Sequence, residues 1–432
     1  MLRASNGTAD TVHRVKGDIA MQTIQPTPVS EGERIHALDT MRGIALLGIL
    51  MVNMASFKGL STLDLFPRAE SLAQPIDRTV FLLIQALFTA KFYPIFSFLF
   101  GLGFALQRER LQARGVNPTR IMMRRLLTLL AIGALHGLFI WTGDVLLTYA
   151  LCGMVLLLFA RLQPRAVLSW ALGLWGAQAL CCLSCAGITL WWIGMGGTGA
   201  AGGDAFFAAY IEQGRQAYAQ SSYWVAQRFR FLEWLLMFAN AIFFLPNVLV
   251  MFLLGLYFGR QGVFKQLEAH RKLMGWLAAS IPISLVLNGL YAWGLLRAIR
   301  AENDMEVYAW QMLGIVVGPV LALGYIGAFG WLWSAVGKVQ RFLTPLAAAG
   351  RMALTNYLMQ SVVCTLLFYG YGLGLHNRVG VAQGALITVL LWGFQVIFST
   401  LWLVRYQYGP IEWLWRNLTY GQRTPLRRFE QA

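Results

Sequence analysis

Charge is scarce in this 432-residue chain: Asp, Glu, Lys and Arg make up 12% of it, apolar residues 57%, and mean hydropathy is +0.57. Soluble domains run nearer a quarter charged, so a chain of this length has too few charges to cover a water-facing surface. Acidic residues are the scarcer sign, 19 against 35 basic, for a formal net charge of +16. Cysteine is confined to Cys152, Cys181, Cys182, Cys185 and Cys364, all within or beside apolar stretches. Cys182-Leu183-Ser184-Cys185 spells CxxC, but with no second cluster and with Leu, Ala and Trp around it, it reads as small buried residues. His13, His36, His270 and His376 fall in tails or loops without metal-ligand spacing, and no metal is predicted. The glycine run from Gly194 to Gly199 has no strand before it and no lysine after it, so it reads as a joint rather than a phosphate cradle.

What the chain has in quantity is apolar runs of about 20 residues, the length that crosses a hydrocarbon core of about 30 Å. They predict an all-α, polytopic transmembrane helical bundle of about ten spans. The first runs from Leu38 to about Phe57, and the others lie near 80–106, 124–141, 145–160, 167–193, 232–258, 273–297, 309–335, 351–371 and 380–404. Residues 1–33 are polar, contain Pro26 and Pro28, and lack the apolar centre of a signal peptide, which predicts a mobile tail or translated extension. The transmembrane unit then covers 34–404, and 405–432 forms an interfacial helix with a basic tail.

Charge placement orients the spans. The connection at 107–125 carries Arg108, Arg110, Arg114, Arg120, Arg124 and Arg125 against Glu109, which marks it as cytoplasmic. Arg161 and Arg165, then Arg260, Lys265, Arg271 and Lys272, then Lys338 and Arg341 follow at the later inner connections. The outer stretch near 298–308 instead holds Glu302, Asp304 and Glu306 against Arg300. Both termini are therefore expected in the cytoplasm. The basicity is explained by topology and membrane lipids, and no nucleic-acid partner is implied. Phe98-Leu99-Phe100-Gly101 echoes Phe252-Leu253-Leu254-Gly255, through either an old duplication or chance.

Polar groups inside a membrane are costly unless paired, so they are the functional candidates. Asp39 and Arg42 are three apart on one helical face, with Asn53 about three turns further along; they serve either to start and anchor the helix or to bind an anionic ligand. His136 lies between Gly133 and Gly137, just before the tight turn that holds Trp141 and Asp144. A neutral imidazole there suits a general base oriented by Asp144, or a hydrogen bond across a helix interface. Lys91 with Tyr93, Glu233 and Asn240 on the sixth span, and Asn356 with Gln360 on one face of the ninth form a third group. The last two line a polar cavity or join helices; Lys91 neutralises a carboxylate, Glu233 or an anionic ligand. The Gly133/Gly137 and Gly314/Gly318 pairs suit packing within the chain or a homo-oligomer.

Several stretches resemble the YeiB family of bacterial inner-membrane proteins, which share a region called DUF418. They are Leu38-Asp39-x-x-Arg42-Gly43, Phe96-Ser97-x-Leu99-Phe100-Gly101-x-Gly103, His136-Gly137 with Gly143-Asp144-x-Leu146, Gly350 to Tyr357, and Gly409 to Tyr420. The first-span motif and the Phe/Gly-rich span after it are also similar to the transmembrane acyltransferase clan, which includes heparan-alpha-glucosaminide N-acetyltransferase. That resemblance implies transfer of an acyl group, possibly acetyl, from cytoplasmic acyl-CoA to a hydroxyl or amine on a small or lipid-linked acceptor. In those relatives a histidine after the first span is tied to the chemistry; the 58–79 connection here has none, which moves the role to His136. Asn53, Asn240 or Asn356 would then steady the oxyanion, and Arg42 or Lys91 the CoA phosphates. Transport or export of a small molecule or lipid, and a non-catalytic scaffold, are the alternatives.

Overall fold

The computed structural model describes residues 35–59, 69–197 and 201–428, the side chains of 201–208, 238–243 and 338 excepted. The N-terminal tail predicted at 1–33 lies outside the described residues, as does the Asn240 side chain. In chain order the α-helices are α1 (His36–Gly59), α2 (Pro75–Leu87), α3 (Phe92–Ala113), α4 (Pro118–Phe139), α5 (Leu146–Phe159), α6 (Pro164–Gly194), α7 (Ala201–Ala219) and α8 (Tyr223–Arg260). They continue as α9 (Arg271–Ala278), α10 (Ile281–Arg300), α11 (Asp304–Ala335), α12 (Gly337–Arg351), α13 (Ala353–Phe368), α14 (Val381–Arg405) and α15 (Pro410–Tyr420). Strand pairing among the described residues is limited to one bridge, Tyr406 with Arg427, so the fold is all-α.

Ten spans were expected; among the described residues, seven stretches are long and apolar enough to cross a membrane. Long, apolar stretches occur at His36–Gly59, Pro75–Ala113, Pro118–Phe139, Pro164–Gly194, Arg271–Arg300, Asp304–Ala335 and Val381–Arg405. Leu146–Phe159 and Ala353–Phe368 occupy two of the other places as apolar helices of 14 and 16 residues, and the place expected at 232–258 falls within α8, a continuous helix of 38 residues. At 1.5 Å per residue α5 and α13 rise at most about 24 Å, short of the hydrocarbon thickness.

Local chemistry sets the boundaries. Asn117 accepts the Thr119 N–H at 3.0 Å and Pro118 opens α4, a cap followed by a residue that needs no donor there. Gly421, at φ +69°, stops α15 in the left-handed conformation that glycine adopts without strain. Pro319 inside α11 cannot donate to the Ile315 carbonyl, and Asn247 of α8 supplies the missing donor at 3.4 Å. Between α2 and α3 the helix breaks, with Ala90 at φ +62°.

The two echoing motifs meet in the core. A Cβ on Gly101 would strike the Phe252 carbonyl, and one on Gly255 the Phe98 carbonyl, so α3 and α8 approach backbone to backbone. Ala105 faces Gly259 further on, so residue numbers rise together and the helices run parallel. Phe100 stacks on Phe252 at 4.6 Å, with Tyr149 of α5 edge-on to both.

Basic connections gather at one end of the bundle. Lys265 pairs with Glu109 at 2.6 Å, Arg260 donates to the Leu162 carbonyl, and Trp415 of α15 donates to the Arg125 carbonyl at 2.9 Å. The start of α1 lies at the same end.

Candidate functional site

At the opposite end, α4 and α5 are joined by a short turn that brings two residues eight apart into contact. His136 Nδ1 lies 2.8 Å from Asp144 Oδ1, and both side chains are almost fully buried. The second Asp144 oxygen accepts the Leu147 N–H at 2.8 Å, so the carboxylate caps α5 and orients the imidazole with the same group. His136 Nε2 is buried and meets no hydrogen-bonding partner among the described residues. An imidazole oriented through one nitrogen and unpaired at the other is an arrangement that suits a general base. Gly137 is needed beside it, because a Cβ there would press on the Trp234 indole nitrogen.

A cavity of about 320 Å³ leads from the basic end of the bundle to this turn. Its mouth carries Arg42, Arg110, Arg125, Arg351 and Arg416 against the carboxylates Asp39 and Glu412. Leu46, Phe96, Phe100 and Leu126 line the middle, and Val145, Tyr149 and Tyr357 line the head. Tyr357 accepts the Val145 N–H at 3.3 Å, and its ring lies 5.3 Å from the His136 ring, centroid to centroid. Arg125 and His136 are eleven residues apart on α4, an axial rise of about 16 Å.

The mouth is built by the C-terminal helix. Arg125 lies 4.3 Å over the Trp415 ring, and Arg416 4.3 Å over Tyr408. Glu412 accepts the Leu354 and Thr355 N–H groups at 2.7 and 3.0 Å and the Thr355 hydroxyl at 2.5 Å, which fixes α15 to the start of α13. Burial pushes the Glu412 carboxyl up, and these hydrogen bonds only partly offset it.

The remaining candidates scatter. Asp39 and Arg42 line the mouth and pair at 2.7 Å. Lys91 does not join them: fully buried at the α2–α3 break, it donates to the Gln85 carbonyl at 2.7 Å, lies 5.5 Å over Tyr291, and does not meet Glu233. Asn356 donates to the Ala349 carbonyl and Ser399, while Gln395 donates to the Asn356 carbonyl; Gln360 donates to Gln395. That pair therefore joins α12, α13 and α14, and neither it nor Asn53 is among the cavity's lining residues.

Glu233 lies on the outer flank of the His136 turn, where Tyr218 donates to it at 2.5 Å and Thr142 at 3.1 Å. Burial and then the Glu233 charge push the Tyr218 hydroxyl well up, so it stays protonated as that donor. Sequence reasoning passed over Tyr357, which sits inside the quoted Gly350 to Tyr357 motif, and Arg230. A signal for Arg230 was present: Tyr223, Gln227, Arg230 and Trp234 repeat at helical spacing along one face of α8.

Residues 258–422 match a family model described as a protein of unknown function, DUF418. The chain is 32% identical to the uncharacterized protein YxaH of Bacillus subtilis (strain 168), across 94% of this chain and 99% of that one. It is 29% identical to an uncharacterized 39.9 kDa protein in the amylase 3' region of Bacillus acidopullulyticus, covering 94% and 99%. It is also 29% identical to the uncharacterized protein YeiB of Escherichia coli (strain K12), covering 91% and 98%. No solved structure matches it. With relatives in three bacteria matched over nearly their whole length, and seven stretches among the described residues long and apolar enough to cross a membrane, the chain belongs to the DUF418 family of multi-pass bacterial membrane proteins.

Proposed function

We propose that this chain is a membrane acyltransferase that takes an acyl group from cytoplasmic acyl-CoA and passes it to a hydroxyl or amine acceptor. The observation that carries the reading is the His136 imidazole, oriented by Asp144 with Nε2 buried and unpaired among the described residues, packed behind Tyr357, which lines the head of a cavity whose mouth is ringed by arginines; His136 itself is not among the lining residues. The reading places the basic end, with both chain termini, on the cytoplasmic side of the inner membrane. CoA phosphates sit among Arg42, Arg125 and Arg416, and the pantetheine arm runs up the apolar cavity.

In the reaction, Nε2 takes the acceptor's O–H or N–H proton as the acceptor oxygen or nitrogen bonds to the acyl carbon. Asp144 stabilises the imidazolium through Nδ1. Tyr357 receives a backbone N–H on its oxygen and has its own O–H to give to the developing oxyanion, a role first sought among the asparagines. The carbon–sulfur bond then breaks, and the leaving thiolate takes the proton from His136, giving free CoA.

The test is transfer of label from radiolabelled acetyl-CoA to a panel of sugars and amines in inverted membrane vesicles, for the wild type and His136→Ala. Transfer by the wild type alone supports the reading, and equal transfer by both sinks the His136 role. A second reading, transport of a small molecule or lipid, draws on the broken α2–α3 helix with Lys91 buried at the break. It gains if neither protein transfers label.

A further inference from the structure

The last turn of α4 carries His136, and a helix end leaves carbonyls without intrahelical donors. Ile140 and Trp141 both donate to the His136 carbonyl, which leaves the carbonyls of Leu138 and Phe139 to be satisfied from outside. Among the described residues, the side-chain donors to these two come from α8. Gln227 donates to the Leu138 carbonyl at 2.6 Å, and Tyr223 and Arg230 to the Phe139 carbonyl at 2.8 and 3.0 Å. One turn further along the same face, Trp234 packs on Gly137.

Arg230 is the part of this face that is itself immobilised. It is fully buried, its guanidinium lies 5.4 to 5.9 Å from the ring centres of Tyr218, Tyr223 and Tyr369, and it donates to Gln227 at 2.7 Å. Tyr218 belongs to the last turn of α7 and Tyr369 to the segment after α13, and these are tied together by the Gly370 N–H donated to the Tyr218 carbonyl at 2.8 Å. A cation at a helix C-terminus also lies on the favourable side of the helix dipole. The same face thus joins the end of α4 to two distant outer segments.

We propose that Arg230 is a positioning residue for His136: it holds the C-terminal carbonyls of α4 against an aromatic cage and so fixes where Nε2 points. Its effect on turnover rests on the acyltransferase reading; its effect on the imidazole does not. A displacement of about 1 Å at a reacting group costs up to ~10²-fold in rate, so the loss falls on kcat while KM for acyl-CoA, set at the far mouth, stays near wild type.

The test is residue-resolved modification by diethylpyrocarbonate, read by mass spectrometry on the detergent-purified full chain, with His36 and His270 as internal references. Arg230→Gln should speed modification of His136 several-fold and leave the references unchanged. Arg230→Lys, which keeps a cationic donor, should restore most of the wild-type protection. A wild-type rate at His136 in Arg230→Gln overturns the proposal, and so does acceleration shared with His36 and His270, which would mean general loosening. Because this readout needs no turnover, it fails or holds separately from the acyl-transfer reading.

Discussion

Tyr357 and His136 stand with ring centres 5.3 Å apart, and that contact joins two features that lie at opposite ends of the bundle. Tyr357 belongs to the cavity that opens among arginines; His136 belongs to the turn at the other end. If the cavity delivers a thioester to the imidazole, His136→Ala should lower turnover by ~10²–10⁴-fold, the usual contribution of a general base. Acyl-CoA binding and monodispersity in detergent should be unchanged. Turnover within a factor of about two of wild type would contradict the assignment.

Asp144 does two things, orienting His136 and capping α5. Asp144→Asn keeps an oxygen for the cap but loses the charge that stabilises an imidazolium. It should therefore lower kcat by ~10²-fold or more with a loss of about 1 kcal/mol or less in thermal stability. Equal and severe loss of both would make the pair structural.

The cavity mouth and the buried lysine separate cleanly. Arg125→Gln should weaken acyl-CoA binding by about ten- to a hundredfold, the worth of a charge-assisted hydrogen bond. Lys91→Met, at the α2–α3 break, should leave that binding as it is. Titration calorimetry on the two variants checks both, and the reverse pattern would move the anion site to Lys91.

Glu412 gives a pH signature. Its raised carboxyl value means that the fold favours the protonated form, so its contribution to stability is complete below the unfolded-state value of about 4.3 and is lost as pH rises through the folded value. Glu412→Gln stays neutral and still accepts backbone N–H groups. Relative to wild type it should gain stability as pH climbs from about 4 to 8 in thermal melts. A difference flat with pH would contradict the burial argument.

Orientation is tested by single introduced cysteines in a background without the five native ones. Positions 204 and 304 should label from outside, and 114 and 427 only after permeabilisation. An exchanged pattern would invert the bundle.

Much of this was legible in the sequence, because hydropathy and charge act locally. Apolar runs located the helices, and the arginines of 107–125 foretold a basic end. Helix length was less legible: Leu146–Phe159 and Ala353–Phe368 are bounded by turns that a hydropathy window does not see. Contacts across the chain were hidden for a different reason. Asn356 and Gln360 share a face whichever side it points, and only the position of Gln395 on α14 shows that they join helices. His136 and Asp144 were named from residue type, but their meeting depends on the turn at Trp141 to Val145. Arg230 carried a helical pattern with Tyr223 and Gln227, though its purpose lies in carbonyls of α4 that no side-chain pattern reports.

The binding of acetyl-CoA and longer acyl-CoAs to the purified protein in nanodiscs, by calorimetry with free CoA and ATP as controls, is the measurement to make. Saturable micromolar binding that distinguishes CoA from ATP and is lost in Arg125→Gln is the result that acyl transfer requires. No binding by any acyl-CoA would contradict it and leave transport as the reading to pursue.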